Sequence, residues 1–396
     1  MEVWVTGAGC LCAAGTNAEE SWAVLLKGGQ APPEAPPRLL QAAADLGLEE
    51  MSKPAFSLPE NIFAGNFRHS ARDTLTLAEI AACEAIEQAE LSKTDFQGDD
   101  VGIIIGSTAG NALHFLEDYA ALKNKLPVKG AGVRDFFECS PALALAEKLE
   151  ISGPAFTIGN ACCSGADAIG LGFDLIRSGR CRRIIAGGAD ALSLVPYIGF
   201  SRLMIYSDQP CKPFDLNRSG LNLGEGAGVL ILESAEEAEK RQARPLARLA
   251  SYGVAADAHH LTAPHPEGRG LRAAIKAALS GSGLSPADLA FVNAHGTATP
   301  DNDRVEALAL AAELPGLPLW GLKGSTGHTL GAAGAIEAVL SIMGLRAGQV
   351  PPSHGFSDPD PALGLTPWAG PVQGNAAISL SLGFGGGSSA LIFREL

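Results

Sequence analysis

Basic charge is scarce in this chain. Its 396 residues carry 29 lysines and arginines against 43 aspartates and glutamates, a formal net charge of −14. That balance excludes non-specific adhesion to nucleic acid or to an anionic membrane surface, and an acidic partner would need a local basic patch. Paired CxxC spacings are missing. The eight cysteines, Cys10, Cys12, Cys83, Cys139, Cys162, Cys163, Cys181 and Cys211, sit mostly in apolar contexts such as AACEAI. This argues against a zinc site or a disulfide framework and for buried free thiols in a reducing compartment. No uninterrupted apolar stretch reaches membrane-spanning length. The first residues, MEVWVTGAG, run straight into a strand and turn, not into a charged region followed by an apolar signal segment. A cytoplasmic location is the simplest expectation.

What the chain does have is ordinary globular composition with a slight apolar bias: 46% hydrophobic and 18% charged residues. Its length exceeds what one hydrophobic core supports, so two domain-sized units are expected. Glycine is abundant, at 48 residues. Such a chain is either disordered or repeatedly needs tight turns and close backbone approaches, and regular apolar runs decide for the second.

Short β-branched runs alternate with alanine-rich segments of helical period. The strand candidates are Val3–Thr6, Val101–Ile105, Ala155–Ile158, Arg183–Ala186, Gly228–Leu232, Arg248–Val254, Leu289–Asn293, Ala376–Leu382 and Ser389–Phe393. Helix candidates are Asp73–Ala89, Pro141–Leu149, Gly165–Ser178, Leu271–Ser280, Asp303–Ala311 and Ala332–Ala347. The alternation predicts βαβ units in an α/β fold with a mixed, largely parallel sheet. Two series meet near Ser234–Arg244, a charged stretch expected to be a surface helix or connector. Each series ends in a glycine-rich turn and a strand, LGEGAGVLILE and LGFGGGSSALIF, a faint internal echo of two similar halves. Residues 30–59, opening with APPEAPPRLL, read as an irregular surface excursion.

Four segments carry chemistry. In FTIGNACCSGADAIG a strand ends and a small-residue helix starts at about Cys162. A thiol there faces unpaired N–H groups and the positive end of the helix dipole, which favour thiolate; a pair of inert buried thiols is the competing reading. In FVNAHGTATPDND, His295 closes an apolar strand, and Thr297 and Thr299 offer hydroxyls two residues apart, suited to a polar ligand arm. A structural histidine is the alternative there. In GLKGSTGHTLGAAGAIEAVLS, Lys323 and His328 share a glycine-rich turn and Glu337 follows nine residues later in a helix. In SLGFGGGSSALIF, Phe384 stands between glycines in a loop whose N–H groups suit an oxyanion. Together these residues point to acyl transfer through the Cys162 thiol, the best-suited nucleophile at neutral pH, with two imidazoles to stabilise negative charge on a thioester oxygen.

The order NACCSG, NAHGTATP, KGSTGH and GFGGG, with CKPFDLNRSGLNLGEGAG at Cys211–Gly228, resembles the elongating β-ketoacyl-acyl-carrier-protein synthases, closest to type II, over nearly the whole chain. The resemblance implies the thiolase fold: two duplicated βαβαβ halves in five α-β-α-β-α layers, divided as 1–240 with the nucleophile and 241–396 with the remaining groups. By the same resemblance Cys162 takes an acyl group from acyl-carrier protein, with the backbone amides of Cys162 and Phe384 as oxyanion hole and Phe384 as gate. His295 and His328 would promote decarboxylation of malonyl-carrier protein, and Lys323 would hold the site together through Glu337. Thr297, Thr299 and Thr262 would bind the phosphopantetheine arm and substrate, with Ala109 and Phe137 on the acyl side. No cofactor is implied beyond the phosphopantetheine that the carrier brings, because release of carbon dioxide drives the step. The implied partners are acyl-carrier protein and a second subunit in a homodimer or heterodimer, with reductase and acyltransferase on separate chains. Biosynthetic thiolases carry a second cysteine where Phe384 stands, and initiating synthases pair one histidine with asparagine. A silent chain-length-factor-like partner, or an acyltransferase that does not condense, is the rival reading.

Some features depart from the family pattern. The last loop reads GFGGGSS in place of GFGGTN, the segment GFSRLMIYSDQPCKPFD is short, and Cys163 follows the nucleophile. Ala109 replaces a larger aliphatic residue and predicts a roomier or differently shaped acyl tunnel. Arg68 and Arg72 are candidates for a carrier-docking patch. His259, His260 and His265 lack acidic or cysteine partners at metal-ligand spacing, so no metal is expected.

Overall fold

The computed structural model describes residues 1–29, 35–45, 47, 52–63, 72–110, 116–128, 130 and 140–396. Phe137, Arg68 and Cys139 lie outside the described residues, and of Arg72 only its place at a helix start is described.

The twelve strands are β1 Val3–Cys12, β2 Val101–Gly106, β3 Ala155–Ile158, β4 Arg183–Asp190, β5 Gly226–Ser234, β6 Ala247–Ala256, β7 Leu289–Asn293, β8 Leu319–Trp320, β9 Gln349–Val350, β10 Gly370–Pro371, β11 Ala376–Leu382 and β12 Gly387–Arg394. Ten of them form one sheet in the order β3-β2-β4-β5-β1-β6-β12-β11-β7-β8. Read inward from its two ends, that order is the same pattern twice. β2 runs parallel to β3 and β4, and β4-β5-β1 are antiparallel. Likewise β7 runs parallel to β8 and β11, and β11-β12-β6 are antiparallel. The two sets join where Val3–Val5 pair with Ala247–Leu249. The glycine-turn echo in the sequence falls on β5 and β12, which occupy equivalent places.

The helices follow the same duplication. Those that build the layers are α1 Arg72–Gln88, α2 Pro141–Leu149, α3 Ser164–Arg177, α4 Arg269–Ser282, α5 Pro300–Glu313 and α6 Ala333–Ala347. α1 and α2 cover the outer face of the first strand set, and α4 and α5 the outer side of the second. α3 and α6 lie between the sets, packed on each other and on both. The result is the five-layer α-β-α-β-α stack. The VGIIIG of β2 is buried at every position, as a central strand covered on both faces demands. The central layer is thin because its residues are small: a Cβ at Gly165 would sit 2.6 Å from the Gly331 carbonyl oxygen, and one at Gly228 2.5 Å from the Ala335 backbone.

Three expectations change. Leu330–Ala347 is long and apolar enough to cross a membrane by composition, yet 83% of it is buried inside the protein as the central α6 region. Cys83, in AACEAI, is exposed on α1, while the other described cysteines are buried and free. Described parts of the supposed surface excursion are core: Ala35, Leu39, Ala43, Ala55, Phe56 and Leu58 are at most 5% exposed. The helix Pro37–Asp45 packs on the helix Leu194–Arg202, and Phe56 bridges to Gly224. The proline-rich opening of that segment hid an amphipathic helix, which buries Leu39 and Ala43 and exposes Leu40, from a reading based on composition. The charged junction does form a short helix, Ala235–Lys240, capped by the Ser234 side chain.

The outer edges of the sheet differ. β3 ends one side with Phe156 47% exposed. At the other end, the Trp368 N–H donates to the Leu319 carbonyl of β8 at 2.7 Å, so a returning loop covers that strand.

Candidate active site

Cys162 lies between the end of β3 and α3, whose N-cap is Cys163. The preceding Ala161 is held at φ 45°, a left-handed conformation costly for a residue with a Cβ. Hydrogen bonds sustain it. The Ala161 carbonyl accepts from the hydroxyls of Thr108 (2.7 Å) and Ser164 (2.6 Å), and Asn160 N–H donates to Ser164 Oγ at 2.8 Å. This elbow aims the thiol away from the helix axis and into a cavity of about 260 Å³ lined by Phe200, His295, Thr297, Thr299, His328 and Phe384 among others.

The sequence candidates converge. His328 Nε2 is 3.0 Å from Cys162 Sγ, and the His295 and His328 ring centroids are 5.3 Å apart at 84°. The Leu330 N–H donates to His328 Nδ1 at 3.3 Å, so neutral His328 keeps its proton on Nε2 and donates toward the sulfur. The Lys323 ammonium fixes the other ring in the same way. It lies 3.3 Å from His295 Nδ1, donates to the His295 carbonyl at 2.5 Å, and spends its remaining hydrogen on Glu337 Oε1. Both imidazoles therefore carry their proton on Nε2, and His328 directs its own at the Cys162 sulfur. Lys323, Glu337, His295 and His328 are each at most 2% exposed.

Burial sets the electrostatics. It pushes the Cys162 thiol up to about 11, with Lys323 and a hydrogen bond from the Phe384 N–H pulling the other way. The sequence expectation of a standing thiolate is thus corrected: desolvation outweighs the helix terminus, which starts two residues later. Burial, and then the Lys323 charge, hold His295 and His328 well below the usual histidine range, so both are neutral. Burial likewise raises Glu337, opposed by Lys323.

Phe384 opens a short turn after β11, and its ring stacks on Phe200 at 5.4 Å and 14°. Phe200 in turn meets the His328 ring edge-on at 6.4 Å. Thr297 and Thr299 share a hydroxyl hydrogen bond of 2.8 Å and line the cavity, as does Thr262. Ala109 is 4% exposed in an apolar cluster that packs on Phe200 and Ile205, both of which line the cavity. His259 meets the His265 ring edge-on at 4.9 Å, and the other two histidines make local hydrogen bonds. His260 Nδ1 accepts from Thr262 and Ala263, and His265 Nδ1 accepts from Glu267. Among the described residues the cluster with metal-ligand chemistry is Cys162, His295 and His328 itself, ligand atoms within 4.8 Å of one another. The adjacent Lys323 charge opposes a cation there.

Residues that sequence reasoning passed over hold this set in place. Glu306 accepts the His295 and Gly296 N–H groups at 2.6 and 2.8 Å, and burial raises it to about 7. Asp190 accepts from Ser107, Thr108, Ala109, Gly110 and Gly331, tying the end of β2 to the turn after His328. Cys211 donates its thiol hydrogen to the Lys323 carbonyl at 3.0 Å. A carboxylate four residues past Pro-Asp-Asn looks like helix solvation, so nothing in the sequence marks Glu306 as buried.

The family models describing the β-ketoacyl synthase N-terminal and C-terminal domains match residues 1–238 and 246–357. The 3-oxoacyl-[acyl-carrier-protein] synthase 2 of Synechocystis sp. is 35% identical over 80% of this chain and 80% of its own length. Two solved structures cover all of this chain and 99% of their own at a TM-score of 0.89. One, at 29% identity, is AntDE:AntF, a type II PKS acyl-carrier protein in complex with its ketosynthase bound to the hexaketide. The other, at 28%, is the ishigamide ketosynthase/chain length factor.

Proposed function

The chain belongs to the β-ketoacyl synthase family, and from that premise we propose how its own residues carry out the condensation. It is a condensing acyltransferase, a 3-oxoacyl-[acyl-carrier-protein] synthase. Cys162 Sγ attacks the thioester of an acyl-carrier protein. The new S–C bond forms as the carrier sulfur leaves, and the proton lost by Cys162 ends on the carrier thiol. The N–H groups of Cys162 and Phe384 receive the transient oxyanion. With the thiol at about 11, the His328 Nε2–H and Phe384 N–H lower the cost of the thiolate formed during attack.

Malonyl-carrier protein then enters by the Thr297–Thr299 side. Loss of carbon dioxide leaves an enolate whose oxygen takes hydrogen bonds from His295 and His328 Nε2. The enolate carbon attacks the acyl carbonyl on Cys162, a C–C bond forms, the C–S bond breaks, and the sulfur regains a proton. The chain grows by two carbons and the 3-oxo product stays on the carrier. The residues supply every group needed, so the reading includes no cofactor. The observation that carries it is the convergence of the thiol and two neutral imidazoles on one cavity, His328 Nε2 3.0 Å from Cys162 Sγ and the two ring centroids 5.3 Å apart. A partner subunit, either a second copy or a chain-length-factor-like chain, would pair along the open edge of β3, where exposed Phe156 supports it. Free thiols among the described cysteines suit a cytoplasmic setting. The halves 1–240 and 241–396 divide the labour, nucleophile from one and donors from the other.

Intact-protein mass spectrometry after exposure to carrier-bound acyl chains, with Cys162→Ala as control, tests this. A mass gain in the unmutated protein alone, discharged on adding malonyl-carrier protein, is expected. Loading without discharge leaves an acyltransferase; absence of loading leaves a silent partner.

A further inference from the structure

The stretch from Lys53 to Leu58, expected at the surface, is fastened to the active site twice. Its backbone joins the segment that holds His328. The Phe56 N–H donates to the Leu223 carbonyl at 2.8 Å and the Glu225 N–H donates to the Phe56 carbonyl at 3.1 Å. One strand further, the Gly224 N–H donates to the His328 carbonyl at 3.0 Å and the His328 N–H donates to the Asn222 carbonyl at 2.8 Å. Three short stretches thus form one ladder with His328 on its far rung.

The second fastening is a side chain. Tyr197 Oη accepts the Lys53 N–H at 2.6 Å and donates its own hydrogen to the Lys53 carbonyl at 3.0 Å. A hydroxyl that both accepts from and donates to one residue's backbone fixes distance and orientation together. Tyr197 is fully buried, in the helix Leu194–Arg202, one turn before Phe200. Tyr206 backs it edge-on at 5.4 Å and donates to the Pro54 carbonyl at 2.8 Å. On the outer side Val195 is 45% exposed and Gly199 is exposed, while Leu39 and Ala43 of the helix Pro37–Asp45 share an apolar cluster with Leu194 and Tyr197.

We infer that Tyr197 is a positioning residue for acyl-chain selectivity: it moors the helix that carries Phe200 to the Lys53 backbone, and thereby fixes the ring that bounds the cavity against Phe384 and His328. The inference rests on the condensing-enzyme reading above. Tyr197 touches no reacting atom. Its removal leaves the part-buried Lys53 N–H and carbonyl without that partner, and their relief is separation of helix and strap toward water, which loosens Phe200.

Tyr197→Phe keeps the ring and removes only the hydroxyl. Loading of Cys162 from carrier-bound short and long acyl chains is measured by intact mass, with kcat and KM for condensation and a melting curve. The long-to-short loading ratio is expected to change about fivefold, part of the effect of the two hydrogen bonds lost, through KM for the acyl donor. Alkylation of Cys162 by iodoacetamide should keep its rate. Tyr206→Phe serves as the comparison: it also loses one donated and one accepted hydrogen bond, to the Pro54 carbonyl at 2.8 Å and from the Leu223 N–H at 3.1 Å, but leaves the Lys53–Tyr197 link intact, so it should lower the melting temperature without moving the ratio. An unchanged ratio in Tyr197→Phe, or an equal shift in both variants, overturns the inference. Should Tyr197→Phe fail to fold, Phe200→Leu tests the same point from the cavity side, and an unchanged ratio there overturns it too. Failure of the unmutated protein to load any chain would instead overturn the condensing-enzyme reading.

Discussion

The protonation of Cys162 makes the sharpest quantitative claim. Burial sets its thiol at about 11. At pH 7 roughly one molecule in ten thousand is then thiolate, against roughly 3% for an unshifted cysteine, a deficit of roughly 300-fold. A more basic thiolate is also the better nucleophile, and a Brønsted coefficient of about 0.45 over about 2.5 pH units returns roughly tenfold. Attack on a small disulfide reagent should therefore run roughly twentyfold slower than that of a simple thiol at pH 7. It should climb about tenfold per pH unit, without a plateau, until about pH 10. Peptide mapping separates the adduct at Cys162 from that at exposed Cys83. Replacing Lys323 by Met removes the positive charge that lowers this thiol and leaves Glu337 to be neutralised by protonation, so the profile should move to higher pH. A plateau at neutral pH in the unmutated protein, or a shift to lower pH in Lys323→Met, would refute the claim that desolvation dominates.

Further outcomes follow from the same geometry. Lys323→Met alone strands the buried Glu337 and should cost about 3–5 kcal/mol of stability in urea titration, whereas Lys323→Met with Glu337→Leu should recover most of it. Glu306, raised by burial to about 7, keeps a proton in the folded state that the unfolded chain releases. Its contribution is full below the ordinary carboxylate value and is lost as pH rises through about 7, a fall of about 3 kcal/mol. Glu306→Gln should remove that slope from urea midpoints taken between about pH 5 and about pH 8. Ala109→Ile should reduce loading of long chains about tenfold relative to short ones, measured by intact mass; an unchanged preference would mean that another side chain already fills the space.

Most of the frame was legible in the sequence because period-two and period-3.6 patterns are physical: each of the nine expected strands and six expected helices is present within a few residues. β8 escaped because two residues carry no periodicity, and its place comes from register with Val292 and Asn293. The segment around Phe56 was misjudged because proline suggested exposure, while its burial depends on Tyr197 and Leu223, far away in the chain. At the site, Cys162, His295, Lys323, His328 and Glu337 were readable from residue type and motif. The state of the thiol was not, since a helix terminus is visible in sequence and desolvation is not. Asp190, Glu306 and Phe200 were missed for the same reason: their roles arise from which backbone N–H groups and rings the fold brings to them.

The unequal edges of the sheet limit how copies of this molecule add to one another. On the pairing proposed above for β3, each copy is in polymer terms a building block with a single reactive end-group. β3 with Phe156 is that group, while the Trp368 loop acts as a chain stopper on β8. Bifunctional blocks grow into filaments as concentration rises; monofunctional ones couple once and are spent. A duplicated architecture would by its own symmetry carry two sticky ends, and under the proposed pairing the blunting of one would stop edge-to-edge growth at two.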